Sequence, residues 1–187
     1  MNTITTGVPR KTVVEAYAAY DCRKKHRVIP DFASWDWDSA DAIDSQLKAA
    51  DLKSGVLAGY TEWAMVTLDL RDLRQCAVVS SISNGGPRDL ATLERSGALK
   101  GWLPIKEVAW FSKIRQGQPF PESEPFILRR ATVAESPAVW YLEDGSGRGT
   151  AIVASPSLFD SLSLVAHGYL GVRVDTMSSF MRRTGFS

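Results

Sequence analysis

Cysteine and histidine are scarce: the chain holds two of each. Cys22 and Cys76 have neither the density of a disulfide framework nor the paired spacing of a metal knuckle. A disulfide-stapled domain and a structural zinc site are therefore excluded, and the reducing cytoplasm is the expected compartment. Long apolar runs are also missing. No stretch approaches the roughly 20 residues that cross a bilayer, and Met1 to Arg10 lacks the apolar centre of a secretory leader, so no membrane partner is expected. Charge of one sign is lacking too. The 22 basic and 21 acidic residues leave a net charge of +1, which rules out a surface given over wholly to nucleic acid while leaving room for a local basic patch.

What is present fits an ordinary folded protein. Across 187 residues, 44% are hydrophobic and 23% charged, enough for one domain with an appended helical segment. Residues 1 to 11 are polar, contain Pro9, and read as a loose lead-in. A helix is expected from Thr12, with Val13, Tyr17 and Tyr20 on its apolar side, running into the basic cluster Arg23, Lys24, Lys25, His26 and Arg27. Those cations suit a helix C-terminus. They are either a solvated helix end or a contact for phosphate or nucleic acid.

The acids Asp31, Asp36, Asp38, Asp41 and Asp44 alternate with Trp35 and Trp37 but lack the glycine and closing glutamate of a calcium loop. They are expected at a helix start, with Ser39 or Asp38 capping a helix that carries Ile43, Leu47 and Leu52. Thr61 to Leu70 alternates as a strand, Cys76 to Ile82 offers a second, Ser83 to Pro87 is a loop, and Arg88 to Leu99 is a helix burying Leu90, Leu93 and Leu99. A helix is expected over Pro104 to Arg115 and a short strand over Pro125 to Arg129. Beyond the central stretch described next, a helix from Leu158 to Ala166, a strand from Gly171 to Asp175 and a last helix from Met177 to Arg183 are expected. His167 then falls at a helix end, where imidazolium would meet the dipole. Trp63, Trp102, Trp110 and Trp140 read as core residues.

The stretch that organises the rest is Ala138 to Ala154. Its first half, Val139-Trp140-Tyr141-Leu142, has the composition of a buried strand, and its second half is small and apolar after a glycine-rich turn. Strand, tight turn, helix is the reading. Gly145, Gly147 and Gly149 allow a sharp bend and close approach to a ligand, and the helix start offers unpaired N–H groups at a positive dipole end. Arg148 adds a guanidinium at the mouth, and Ser146 and Thr150 add hydroxyls, so the corner suits phosphate. Glu143 and Asp144 oppose an anion unless they bind a metal ion, take a proton or hold the arginine. The plain alternative is a glycine-rich corner in which Glu143 and Arg148 pair at the surface. Arg129 and Arg130 follow the strand beside this turn and are solvated or reach phosphate.

The order of these parts resembles the ParB/sulfiredoxin superfamily over residues 61 to 175. The resemblance is carried by Gly86-Pro87-Arg88, the Pro-Phe-Ile strand at Pro125 to Ile127, the turn Asp144-Gly145-Ser146-Gly147-Arg148, and the Gly-x-x-x-Val-x-Val strand from Gly168 to Val174. It implies an α+β fold, a small mixed sheet with packed helices at 61–187, preceded by an N-terminal helical segment at 1–60. It also implies a nucleotide, ATP or CTP, held with Mg2+. Gly145 would allow close approach, Arg148 would pair with phosphate, and Gly149 and Thr150 would donate N–H groups, with Ser146 and Gly147 completing the loop.

Sulfiredoxins carry cysteine then histidine where this chain has Ser146 and Gly147, so their thiol chemistry is absent. Partition proteins carry charged residues at those positions and a helical DNA-binding region after the domain, which weakens a DNA clamp. The turn also resembles the Gly-Asn-Gly-Arg loop of Fic-type nucleotidyl transferases, but the position of their histidine base is Trp140, on a segment that reads as strand. The expected function is hydrolysis or transfer of a phosphoryl group from a nucleoside triphosphate, with Glu143, Asp144 and Arg148 catalytic and Asp144 on the metal. The alternatives are a non-catalytic DNA- or protein-binding module and a metal-dependent nuclease.

Overall fold

The structure is a computed structural model that describes residues 1–52, 60, 62–78, 89–99, 125–157 and 166–172. The loop from Ser83 to Pro87, the helix expected over Pro104 to Arg115 with Trp102 and Trp110, the segment 158–165 and the helix expected from Met177 lie outside the described residues.

The first strand, β1 (Asn2–Val8), leads through Pro9 directly into α1 (Arg10–Lys24). This corrects the loose lead-in: Thr3, Ile4, Thr5, Thr6 and Val8 are β-branched, and two register shifts together with Gly7 at φ +69 bend the segment along a sheet edge. Helix α1 therefore starts two residues before Thr12, and Pro9 occupies its N-cap, where a missing N–H costs nothing. Helix α2 (Ala40–Ala49) is capped as expected, with the Ser39 hydroxyl accepting from the Ala42 N–H at 3.0 Å.

Strand β2 (Glu62–Leu68) is followed at once by α3 (Leu70–Arg74), whose start is held by a reciprocal pair of bonds between Asp69 and Asp72. The remaining described elements are β3 (Cys76–Ala77), α4 (Leu90–Arg95) capped by Asp89, β4 (Phe126–Arg130), β5 (Trp140–Asp144), α5 (Ser146–Ala154) and β6 (Ala166–Val172).

The strands form one mixed six-stranded sheet in the order β1-β2-β6-β4-β5-β3. Strand β6 lies antiparallel to β2 and parallel to β4, and β5 lies antiparallel to β4 and parallel to β3. The fold is thus α+β with a mixed sheet, and the first sixty residues contribute a strand as well as helices.

Both faces of the sheet are covered. Ala64, Val66, Leu68, Phe126, Leu128, Leu142 and Leu170 pack with residues of α3, α4 and α5 on one face. Trp63 and Ile127 pack with Val13, Val14, Tyr17, Ile43 and Leu47 of α1 and α2 on the other. Strand β4 is consequently apolar at three successive positions, Phe126, Ile127 and Leu128, each fully buried. Cys22 and Cys76 are free thiols inside these layers; burial pushes both up, Cys76 far above the ordinary range.

Strand β6 corrects the reading of its own region. The segment Ala166 to Gly168 is strand, not the end of a helix, and His167 pairs across to Thr67. Gly168 reads as a helix terminator and Gly171 as a strand start, yet each sits inside β6 where a neighbour needs the space: a Cβ would lie 2.8 Å from Leu128 Cδ1 at Gly168 and 2.7 Å from the Tyr60 ring at Gly171.

The two covered faces make an expectation for unfolding. Ile127→Ala and Leu128→Ala face opposite layers, and each should cost about 2–5 kcal/mol, whereas Val133→Ala, at a 95% exposed site, should stay within about 0.5 kcal/mol. Urea titrations measure all three. A cheap loss at either buried position would mean that one face is open.

Candidate functional site

Strand β5, a one-residue bend and α5 follow in the order expected from the central stretch. Gly145 occupies the N-cap of α5 with φ 92 and ψ 7, a left-handed conformation that side chains resist. Space enforces the same choice: a Cβ there would meet Phe126 Cδ1 at 2.5 Å. At Gly149, one helical turn on, a Cβ would lie 2.8 Å from Leu142 Cδ1, so α5 rests close against β5. The helix begins with the Gly149 N–H donating to the Gly145 carbonyl at 2.8 Å. The N–H groups of Ser146 and Gly147 precede that bond at the positive end of the helix.

The structure places Arg148 inside the corner, 3% exposed, not at its mouth. Its guanidinium is held between two rings, 4.4 Å from the Tyr20 centroid and 4.7 Å from that of Phe126. Its Nη2 donates to the Pro125 carbonyl at 3.0 Å and to Asp144 Oδ2 at 3.1 Å. Of the two acids that could hold the arginine, Asp144 pairs with Arg148 at 3.1 Å, four residues before it.

Glu143 belongs to a second arginine. Arg129 Nε donates to Glu143 Oε1 at 2.5 Å, and its two terminal nitrogens form a bidentate pair with Glu135 at 2.7 Å each. The Arg129 guanidinium lies 4.0 Å over the Tyr141 ring. Arg129 is thus neither solvated nor turned toward the corner, whereas Arg130 is exposed. The bond to Glu135 keeps Arg129 firmly charged, and the same bond, with donors from Thr132, holds the Glu135 carboxyl down to about 2.

The hydroxyls expected to face a phosphate are directed into the fold. Ser146 Oγ donates to the Leu142 carbonyl at 3.1 Å, and Thr150 Oγ1 to the Ser146 carbonyl at 2.8 Å. Both residues are buried.

A residue group that the sequence reading kept apart arrives beside the turn. The C-terminal end of α1 brings Tyr20 and Lys24, one helical turn apart, to an open pocket of about 240 Å³ lined also by Glu143, Asp144, Gly145, Ser146, Gly147 and Arg148. Lys24 is exposed, its ammonium 6.0 Å from the Tyr20 ring centroid. Other members of the basic run are satisfied locally: Lys25 pairs with Asp21 at 2.6 Å and Arg27 with Asp51 at 2.5 Å. The tyrosine-to-lysine spacing was legible in the sequence, but its target, more than a hundred residues away, was not.

Among the described residues no group of three or more histidine, cysteine or acidic side chains is placed to cage a metal ion. Among the same residues no helix is long and apolar enough to cross a membrane. No protein-family model matches the chain, and comparison with curated proteins and with solved structures returns no match.

The Arg129 cluster sets an acid limit on stability. Because the Glu135 carboxyl is depressed in the folded chain, its contribution is complete above the ordinary glutamate range and is lost as pH falls toward about 2. Arg129 stays charged throughout. Stability measured in urea between pH 5 and pH 2, values set by the usual carboxyl range, should therefore fall more steeply for the parent than for Glu135→Gln. Parallel pH dependences would contradict the depressed carboxyl.

Proposed function

We propose that the protein binds a phosphorylated ligand in the pocket between the end of α1 and the start of α5, and that the ligand is a nucleoside triphosphate such as ATP or CTP. The observation that carries this reading is the convergence of Lys24 on the leading N–H groups of α5. A cation and a positive dipole end from two distant segments share one cavity, and phosphate is the chemical group that uses both. The acids that would repel it are each held by an arginine, Asp144 by Arg148 and Glu143 by Arg129.

In this reading Gly145 shapes the bend, Gly149 lets α5 rest against β5, and main-chain donors of Ser146 and Gly147 face the phosphate. Thr150 serves from behind by tightening the first turn. Mg2+ needs only one or two carboxylates together with the phosphates it accompanies. Asp144, on the pocket wall and 23% exposed, is the group that would hold it. The ion would supply neutralisation of phosphate charge.

The resemblance to ParB/sulfiredoxin proteins extends the reading to hydrolysis or transfer of a phosphoryl group, with Glu143 and Asp144 orienting the attacking water and Arg148 steadying charge from the pocket wall. One observation favours binding without chemistry: the Ser146 hydroxyl donates into the fold and is not offered as an acceptor. Release of phosphate from ATP or CTP with Mg2+ separates the two.

Lys24→Glu replaces the exposed cation of the pocket. It should weaken binding of ATP and of CTP by about 10-fold or more, as the loss of a charge-assisted contact requires. Isothermal titration with the parent and the variant measures this. Equal affinities, or a parent that binds neither nucleotide, would contradict the proposal.

A further inference from the structure

The stretch between α1 and α2 carries a row of rings that takes no part in the phosphate pocket. Phe32 meets Trp35 edge-on with centroids 5.2 Å apart, and Trp35 stacks on Trp37 at 5.5 Å. All three rings are partly exposed. The main chain that carries them is tied down: the Trp37 indole N–H donates to the Phe32 carbonyl at 3.3 Å, and the Gln46 side-chain amide bonds both the N–H and the carbonyl of Asp36, at 2.8 and 2.9 Å. Just ahead of the row, Val28 and Ile29 are 91% and 42% exposed, adjacent members of the five large apolar side chains that the described residues leave in water.

One ring already holds a cation. Lys11 Nζ lies 5.5 Å from the Trp37 centroid. Its side chain is half exposed and its pair with Glu15 is long, at 3.8 Å, so it can yield that face to a competitor. The charge around the rings has the sign that favours one. Asp31, Asp36, Asp38 and Asp41 are exposed, and among the described residues none of the four is paired with a basic side chain, whereas Asp44 holds Lys48. No group of them is placed to cage a metal ion.

We propose that this face docks a lysine-rich segment of another protein, its ammonium groups meeting the four aspartates and one of them taking the place of Lys11 on Trp37. Charge complementarity selects the partner: rings alone would suit a neutral sugar, which would leave four carboxylates without a role. A second copy of this chain is a poorer fit, because its own basic run is committed, Lys25 to Asp21 and Arg27 to Asp51, with Lys24 at the phosphate pocket. The inference is independent of the phosphate reading.

Titration of the full chain with decalysine at low salt, where exposed charge pairs are least screened, tests this, with decaglutamate and a neutral glucan as the comparison ligands. Replacing all four of Asp31, Asp36, Asp38 and Asp41 by Asn keeps side-chain size and the acceptor oxygens that bond the Ala33 and Asp38 N–H groups. That variant should bind decalysine about tenfold or more weakly, the summed worth of several exposed ion pairs. Trp37→Leu, which keeps an apolar side chain and removes the ring, should weaken it about threefold, as one exposed cation–π contact requires. Should Trp37→Leu fail to fold, Lys11→Arg is the second probe: a guanidinium holds a ring face better than an ammonium, so decalysine should bind more weakly with the net charge unchanged. Decalysine binding that survives the four Asn substitutions, or a folded Trp37→Leu variant equal to the parent, would overturn the proposal. So would a parent that prefers decaglutamate or the glucan, or one that self-associates until the four aspartates are replaced.

Discussion

The buried guanidinium of Arg148 is the interaction around which this edge of the molecule is arranged. A cation taken out of water costs several kcal/mol unless it is paired and its donors are used. Here Asp144, the Pro125 carbonyl and the Tyr20 and Phe126 rings surround it. Those partners come from α1, from the start of β4 and from the end of β5. One side chain therefore fixes the end of a helix from the first sixty residues against a turn near residue 145, and Lys24 is carried into place as a result.

Two adjacent acids at the end of β5 would make a poor neighbour for an anion. Each meets its own arginine: Asp144 meets Arg148 on α5, and Glu143 meets Arg129 on β4. Arg129 is in turn shared with Glu135, so one guanidinium serves two carboxylates. Lys24 and the positive end of α5 then contribute to the field at the pocket. The electrostatics of the pocket follow from side-chain pairing within the fold.

Local signals in the sequence carried much of this arrangement and long-range ones did not. The strand-bend-helix at Trp140 to Ala154, the Ser39 cap and the buried side of α4 follow from residue type and spacing, and the structure has them. The glycines at 145 and 149 were legible as points of close approach, but what approaches is Phe126 and Leu142, which only the packing reveals. β1 was missed because an edge strand needs no alternation when most of its side chains face water. β6 begins ahead of the strand expected from Gly171, because Gly168, read as a break, accommodates Leu128. Arg148 read as a free fork at the mouth because nothing in the sequence announces that Tyr20 will cover it. The convergence of Lys24 with the turn is a product of topology, with no trace in either segment alone.

The central claim is that a phosphate group settles on the first N–H groups of α5 beside Lys24. Amide chemical shifts followed by nuclear magnetic resonance during titration with tripolyphosphate test it most directly. Saturable shifts concentrated at Gly145, Ser146, Gly147 and Arg148, and at Lys24, are the expected result. Saturation with the largest shifts elsewhere in the sheet, or no saturable change at all, would contradict it.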